Sequence, residues 1–196
     1  MAQGKQAKVI NPKQEAAVLR HLEGSRYPER DRVVFLLSIK AGMRAKEVAM
    51  LTWSMVTDAG GEVGGAIGIT DAASKGKGGR TIPLNPDLRV ALEALRATHS
   101  TTPAPGDRVV HSERGEGLSA ASVAVWFHRL YRGLGMDGCS SHSGRRTFIT
   151  RAAKKIVEAG GSLRDVQQLA GHASLAATQR YIEGDSDAKR RVVAMI

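Results

Sequence analysis

WSMVTDAGGEVGGAIGITDAASKGKGGRTIPL, residues 53–84, interrupts a chain that otherwise reads as a succession of helices. Glycine and small polar residues cut it into short apolar pieces, and three of these, 54–57, 66–70 and 80–84, suit strands of a small antiparallel sheet. The glycine-rich run 75–79 reads as the turn between two of them, with its lysines projecting from it. On the N-terminal side, Asn11-Pro12 signals the cap and first turn of a helix running to about residue 23. ERDRVVFLLSIKA predicts a second helix over 29–41, stopped by Gly42, and 44–51 a short third with Glu47, Val48 and Leu51 on helical spacing. On the C-terminal side, Asn85-Pro86 opens a helix to about 98, residues 100–107 form a loop, and 108–111 is a short extended run. Ser119 then caps an amphipathic helix to about 131. Helices over 143–159, 163–170 and 174–181 complete the pattern, separated by Gly160-Gly161 and Gly171. The fold class is therefore α+β, mainly α-helical with a small antiparallel β-sheet.

The 196 residues suffice for one domain with a sizeable core, and two full domains would be cramped. Lys and Arg total 29 against 19 Asp and Glu, a formal charge of +10, which favours a polyanionic partner. No apolar run approaches the roughly 18 residues of a membrane span, and the first residues have no signal-peptide core. A soluble intracellular protein is expected, with nucleic acid the commonest polyanionic partner and an anionic membrane surface not excluded by charge alone. The single cysteine, Cys139, excludes an intrachain disulfide framework and a cysteine zinc cluster. The histidines are scattered, so neither a metal nor any other cofactor is expected.

Several polar residues stand at element ends. Arg44 follows Gly42-Met43, Lys75 sits among glycines, and His142 and Arg145 are three apart, able to share one face at a helix start. His172 follows Gly171, and Tyr181 lies nine residues further on. Taken singly, each has an ordinary reading: a surface or ion-paired arginine, a solvated turn lysine, a capping histidine, a packing tyrosine. Together they are the ingredients for attack on a phosphodiester without metal. Guanidinium forks match nonbridging oxygens, and a tyrosine oxygen can form a covalent phosphoester that conserves bond energy. A lysine can protonate a leaving alkoxide, and histidines can accept or donate protons.

Order and spacing resemble the tyrosine recombinase, or phage integrase, catalytic domain. AGMRAKEVAMLTW (41–53) resembles its first arginine box, and KGKGGRTIPL (75–84) its β-hairpin lysine segment. HSGRRTF (142–148) resembles the second box, and LAGHASLAATQRYI (169–182) the closing box. The resemblance implies that Arg44 and Arg145 bind the scissile phosphate, that His172 adds a donor, and that Tyr181 is the nucleophile. It further implies Lys75 as general acid, with Lys77 the fallback, and His142 in an acid/base role. Gly144 and Arg146 stand where the family more often has Leu and His, which suggests a looser helix start and a more basic pocket.

The implied function is site-specific DNA recombination through a 3′-phosphotyrosyl intermediate, on the tyrosine recombinase catalytic-domain fold. The implied partner is double-stranded DNA, bound by a homo-oligomer, a dimer or tetramer, with a monomer the alternative in isolation. No membrane partner is implied, and the protein is expected to be cytoplasmic and DNA-associated. Lys46, Lys77, Arg80, His128, Arg129, Arg132 and Arg146 are candidate DNA contacts, with Lys5, Lys8, Lys13 and Lys40 as further cations for the backbone. The expected organisation is a basic arm (1–11), mobile over 1–10, a catalytic domain (12–184) and a tail (185–196) whose apolar end packs on its own domain or on a neighbouring protomer. The N-terminal helical domain usual in the family is expected to be absent. A fragment that binds DNA but cleaves weakly is one alternative, and topoisomerase-like relaxation of type IB a second. A basic structural or RNA-associated protein is a third.

Overall fold

In the computed structural model, residues 6–74, 79–113, 117–181 and 193–194 are described. The first helix, α1 (Pro12–Glu23), begins where the sequence says it should. The Asn11 side chain accepts from the Gln14 amide at 2.9 Å, and the Gln14 side chain accepts from the Asn11 amide at 3.0 Å. This reciprocal pairing satisfies two donors that a helix start leaves orphaned. The second, α2 (Pro28–Lys40), buries every residue from Val33 to Ile39. A helix apolar on all sides belongs at the centre, and α2 packs against α1, α4 (Pro86–Ala97) and α6 (Ser143–Lys155).

The short α3 (Ala45–Met50) packs on α5 (Ala120–Gly133), whose cap is the expected Ser119. Strands β1 (Ala66–Ile69) and β2 (Arg80–Pro83) pair antiparallel, with Ile67 opposite Ile82, both buried. The third expected strand, 54–57, is instead a 3₁₀ turn, Trp53–Met55, with one isolated bridge from Thr57 to Val63. Trp53 explains the difference. Its ring is buried in the core, and its carbonyl accepts from the amides of Val56 and Thr57 and from the Thr57 hydroxyl, a closed turn rather than an extended strand.

The C-terminal third builds a smaller cluster in which Ile149, Val166 and Ala170 are buried beside Phe148, Ile156 and Tyr181. Its helices are α6, α7 (Leu163–Ala170) and α8 (Leu175–Gln179). Helix α6 stops at Lys155, short of the expected 159, and the chain turns through Gly160 at φ 76. Helix α7 contacts β2 and so joins this unit to the sheet.

The expected mobile arm is partly overturned. Residues 6–10 are seated along the start of α6: the Lys8 amide donates to the Gly138 carbonyl at 3.1 Å, and the Ile10 amide to the Thr147 hydroxyl at 2.8 Å. Ile10 itself is fully buried. Nor is the start of α6 loose. Gly144 is buried where α6 crosses α2, and a Cβ there would lie 2.3 Å from Ser38 Oγ and 3.1 Å from the Ser38 backbone carbon. Glycine therefore sets a close crossing. Among the described residues, no helix is long and apolar enough to cross a membrane.

Candidate active site

Arg145 lies in the first turn of α6, buried to 3 % exposure. Its Nη1 donates to the Gly42 carbonyl at 2.6 Å and its Nη2 to the Ala170 carbonyl at 2.5 Å. Two of its five N–H donors are thereby spent on the carbonyl of the turn after α2 and on the last carbonyl of α7, and the rest of the fork is fixed in direction. Burial, and then the nearby charge of Arg44, hold its pKa down to about 10, so it remains a cation at neutral pH. Gly42 has φ 63, and a Cβ there would lie 2.4 Å from Phe148 Cδ1. Only glycine leaves room for the turn that delivers this carbonyl.

Arg44 caps α3. Its amide and Nη1 donate to Glu47 at 2.8 and 2.9 Å, and its Nη2 makes a long contact, 3.4 Å, with the Gly171 carbonyl. Glu47 is wholly buried and is shared: Arg80 Nη1 and Nη2 donate to its two oxygens at 2.8 and 2.9 Å. Burial alone would raise the Glu47 pKa, but the bonds and charge of Arg80, then those of Arg44, bring it down to about 2.

Helix α7 ends in a left-handed Gly171 at φ 60, which hands the chain to His172. His172 Nδ1 lies 2.9 Å from the hydroxyl of buried Thr178 on α8. Its ring stacks on that of Tyr181, with centroids 5.3 Å apart and planes 24° from parallel. Burial, then the positive charges of Arg145, Arg44 and Arg80, lower its pKa to about 4, so the imidazole is neutral at pH 7.

A cleft of about 450 Å³ is lined by His142, Arg145, Arg146, His172 and Tyr181, with Gln6 and Ala7 of the arm on its rim. His142 is the exposed N-cap of α6, so the positive end of that helix opens into the cleft. Four of the six expected chemical residues thus share one cleft, and Arg44 stands behind it through Glu47 and Gly171. Lys75 and its fallback Lys77 lie outside the described residues, as does Lys5.

Among the expected DNA contacts, His128, Arg129 and Arg132 are exposed on α5. Lys46 is exposed and donates to the Ser74 carbonyl at 3.0 Å, while Arg146 lines the cleft and donates to the Gln6 side chain. Two expectations need correcting. Arg80 turns inward, its side chain 7 % exposed and held by Glu47 and the Leu169 carbonyl, and so is not placed to meet DNA. Lys40 is engaged by Glu15 and Asp87 at 3.0 and 3.1 Å. Sequence reasoning missed Glu47, Arg80 and Thr178 as organisers of the site. The one local signal was an acidic residue three positions after Arg44, in the first turn of α3. Among the described residues, no three His, Cys, Asp or Glu side chains gather as a metal site.

The sequence profile of the phage integrase family matches residues 8–187. The chain belongs to the phage integrase family. Similar proteins include the tyrosine recombinase XerC of Brucella suis biovar 1 (strain 1330), 30% identical over 158 residues, which cover 80% of this chain and 47% of XerC. XerC of Rhizobium meliloti (strain 1021) is 32% identical over 161 residues, 80% of this chain and 46% of that protein. The chain thus spans about half the length of these curated relatives. Among solved structures, the XerH site-specific recombinase bound to palindromic difH substrate, in a post-cleavage complex, superposes with a TM-score of 0.75 at 20% identity, over 98% of this chain and 54% of that one. The mainly helical fold with its two-stranded sheet is that of phage integrase catalytic domains.

Proposed function

We propose that this chain is the catalytic domain of a site-specific tyrosine recombinase that breaks and rejoins double-stranded DNA. The observation that carries the reading is the convergence of His142, Arg145, His172 and Tyr181 on one cleft in a chain of this family. Arg145 and Arg44 offer their remaining donors to the nonbridging oxygens of the scissile phosphate, where charge builds during transfer. His172 donates from Nε2 when the Thr178 hydroxyl donates to Nδ1, and its neutrality keeps that tautomer available.

Tyr181 Oη attacks phosphorus, its proton passing to His142, and the bond to the 5′ oxygen breaks as Lys75 protonates that oxygen. The product is a 3′-phosphotyrosyl link. A 5′-hydroxyl from another strand then attacks the same phosphorus and releases Tyr181, so the bond energy is conserved and no nucleotide is consumed. The bound phosphate's charge is met by guanidinium groups, so the step needs no cofactor.

The catalytic unit is residues 12–184, acting on DNA in the cytoplasm as a dimer or tetramer; the expected tail, 185–196, lies outside the described residues except for 193–194. A palindromic substrate of the kind named for XerH suits a two-fold pair of protomers. His128, Arg129 and Arg132 on α5, with Lys46, Lys77 and Arg146, supply cations for the duplex. The test is a nicked suicide duplex drawn from candidate junction sequences, assayed for a denaturation-resistant protein–DNA adduct. The adduct should form with the native chain and vanish in Tyr181→Phe, while salt-sensitive DNA binding survives. An adduct that persists in Tyr181→Phe sinks the assignment of the nucleophile.

A further inference from the structure

Arg80 opens β2 five residues after Lys75, yet its guanidinium points into the protein. Nη1 and Nη2 bridge both oxygens of Glu47, and Nε donates to the Leu169 carbonyl at 2.9 Å. The same carboxylate holds the amide and Nη1 of Arg44. Leu169 lies in the last turn of α7, two residues before Gly171, and a Cβ on Gly171 would come within 3.0 Å of Arg80 Cδ and Nη1. Three parts of the site therefore meet at one side chain that cannot itself reach a phosphate: the Arg44 cap, the turn carrying His172, and the strand that follows the Lys75 segment.

Charge gives the arrangement a purpose. Glu47 alone beside Arg44 would cancel the cation that the phosphate needs. Arg80 compensates the carboxylate, so the Arg44–Glu47–Arg80 cluster keeps one net positive charge at the site. Lysine cannot do the same, because one ammonium does not span two carboxylate oxygens and a carbonyl in a plane.

We propose that Arg80 is a positioning residue for strand cleavage, fixing Arg44 through Glu47 and the His172 turn through Leu169, without touching DNA. This rests on the recombinase reading above. Arg80→Lys and Arg80→Met should each slow single-turnover adduct formation by about 100-fold or more, the loss typical of a misplaced catalytic group. The slope of log affinity for duplex DNA against log salt should not change. Arg80→Met should also raise the His172 pKa, followed by NMR, because a nearby cation has gone.

A slope reduced by about 0.9 would make Arg80 a phosphate contact and overturn the proposal. So would native cleavage rates in folded Arg80→Lys. Should Arg80→Met fail to fold, Arg80→Lys carries the kinetic and salt tests. If the native chain forms no adduct at all, the recombinase reading fails instead. The placement of Arg80 is then decided by the His172 titration, and an unmoved pKa in Arg80→Met sinks it.

Discussion

A buried carboxylate and a neutral histidine make this site sensitive to acid at two separate places. The Glu47 carboxyl, normally near 4.5, is held at about 2 in the folded chain despite its burial, because Arg80 and Arg44 favour the ionised form. Its contribution is fully present above pH 4.5 and is lost as pH falls through about 2, on the order of 3 kcal/mol. His172 acts higher. Unfolded, it takes a proton near 6.5, but folded it resists until about 4. As pH falls through that window the unfolded chain binds more protons, so the fold loses stability that was complete above 6.5. The urea midpoint should therefore decline between pH 6.5 and 4, and His172→Asn should remove part of that decline. An identical pH dependence in the variant would show that the imidazole is not held neutral. Gly42→Ala should cost about 2 kcal/mol or more in thermal unfolding, since it combines a left-handed backbone with a collision against Phe148. It should also slow cleavage, because the displaced carbonyl is one of the two that aim Arg145.

At the scale of elements, the crossing of α2 and α6 depends on two small residues. Gly144→Ala should destabilise by about 1–3 kcal/mol through overpacking, and Gly144→Leu by more. The Ser38 hydroxyl is buried there with no hydrogen-bond partner among the described residues. Ser38→Ala should be neutral or stabilising by about 1 kcal/mol, and calorimetry on both variants checks the pair. This crossing also shows where a sequence stops being informative. Helix starts were legible because Asn11, Asn85 and Ser119 announce themselves through their own caps. The strand misread at 54–57 failed because Trp53 anchors a turn through burial, which no short alternation reveals. Gly144 looked permissive alone and is restrictive only against Ser38. The chemical residues were legible through the spacing of whole boxes. Glu47 with Arg80, 33 apart, and Arg80 with Leu169, 89 apart, were not, since their pairing exists only once β2 meets α7.

Across the whole molecule, a cross-brace ties the arm and α1 to α6, and through α2 to α4. Arg151 on α6 donates to the Ile10 carbonyl at 3.0 Å and to Glu15 on α1 at 2.5 Å. Glu15 also pairs with Lys40 at the end of α2, which reaches Asp87 on α4. Ile10→Ala should cost about 2–5 kcal/mol, because it opens a cavity beneath this brace. A chemical-denaturation midpoint close to that of the native chain would mean that the arm is peripheral to folding. The seating of residues 6–10 has a practical corollary. Gln6 stands on the rim of the cleft, and five further residues can extend no more than roughly 18 Å. The attachment point of anything joined ahead of Met1 therefore stays within that radius of Gln6, at the cleft that also holds Tyr181. An affinity tag placed there competes with substrate for space, and a small fluorophore in the same position becomes a direct optical gauge of strand entry.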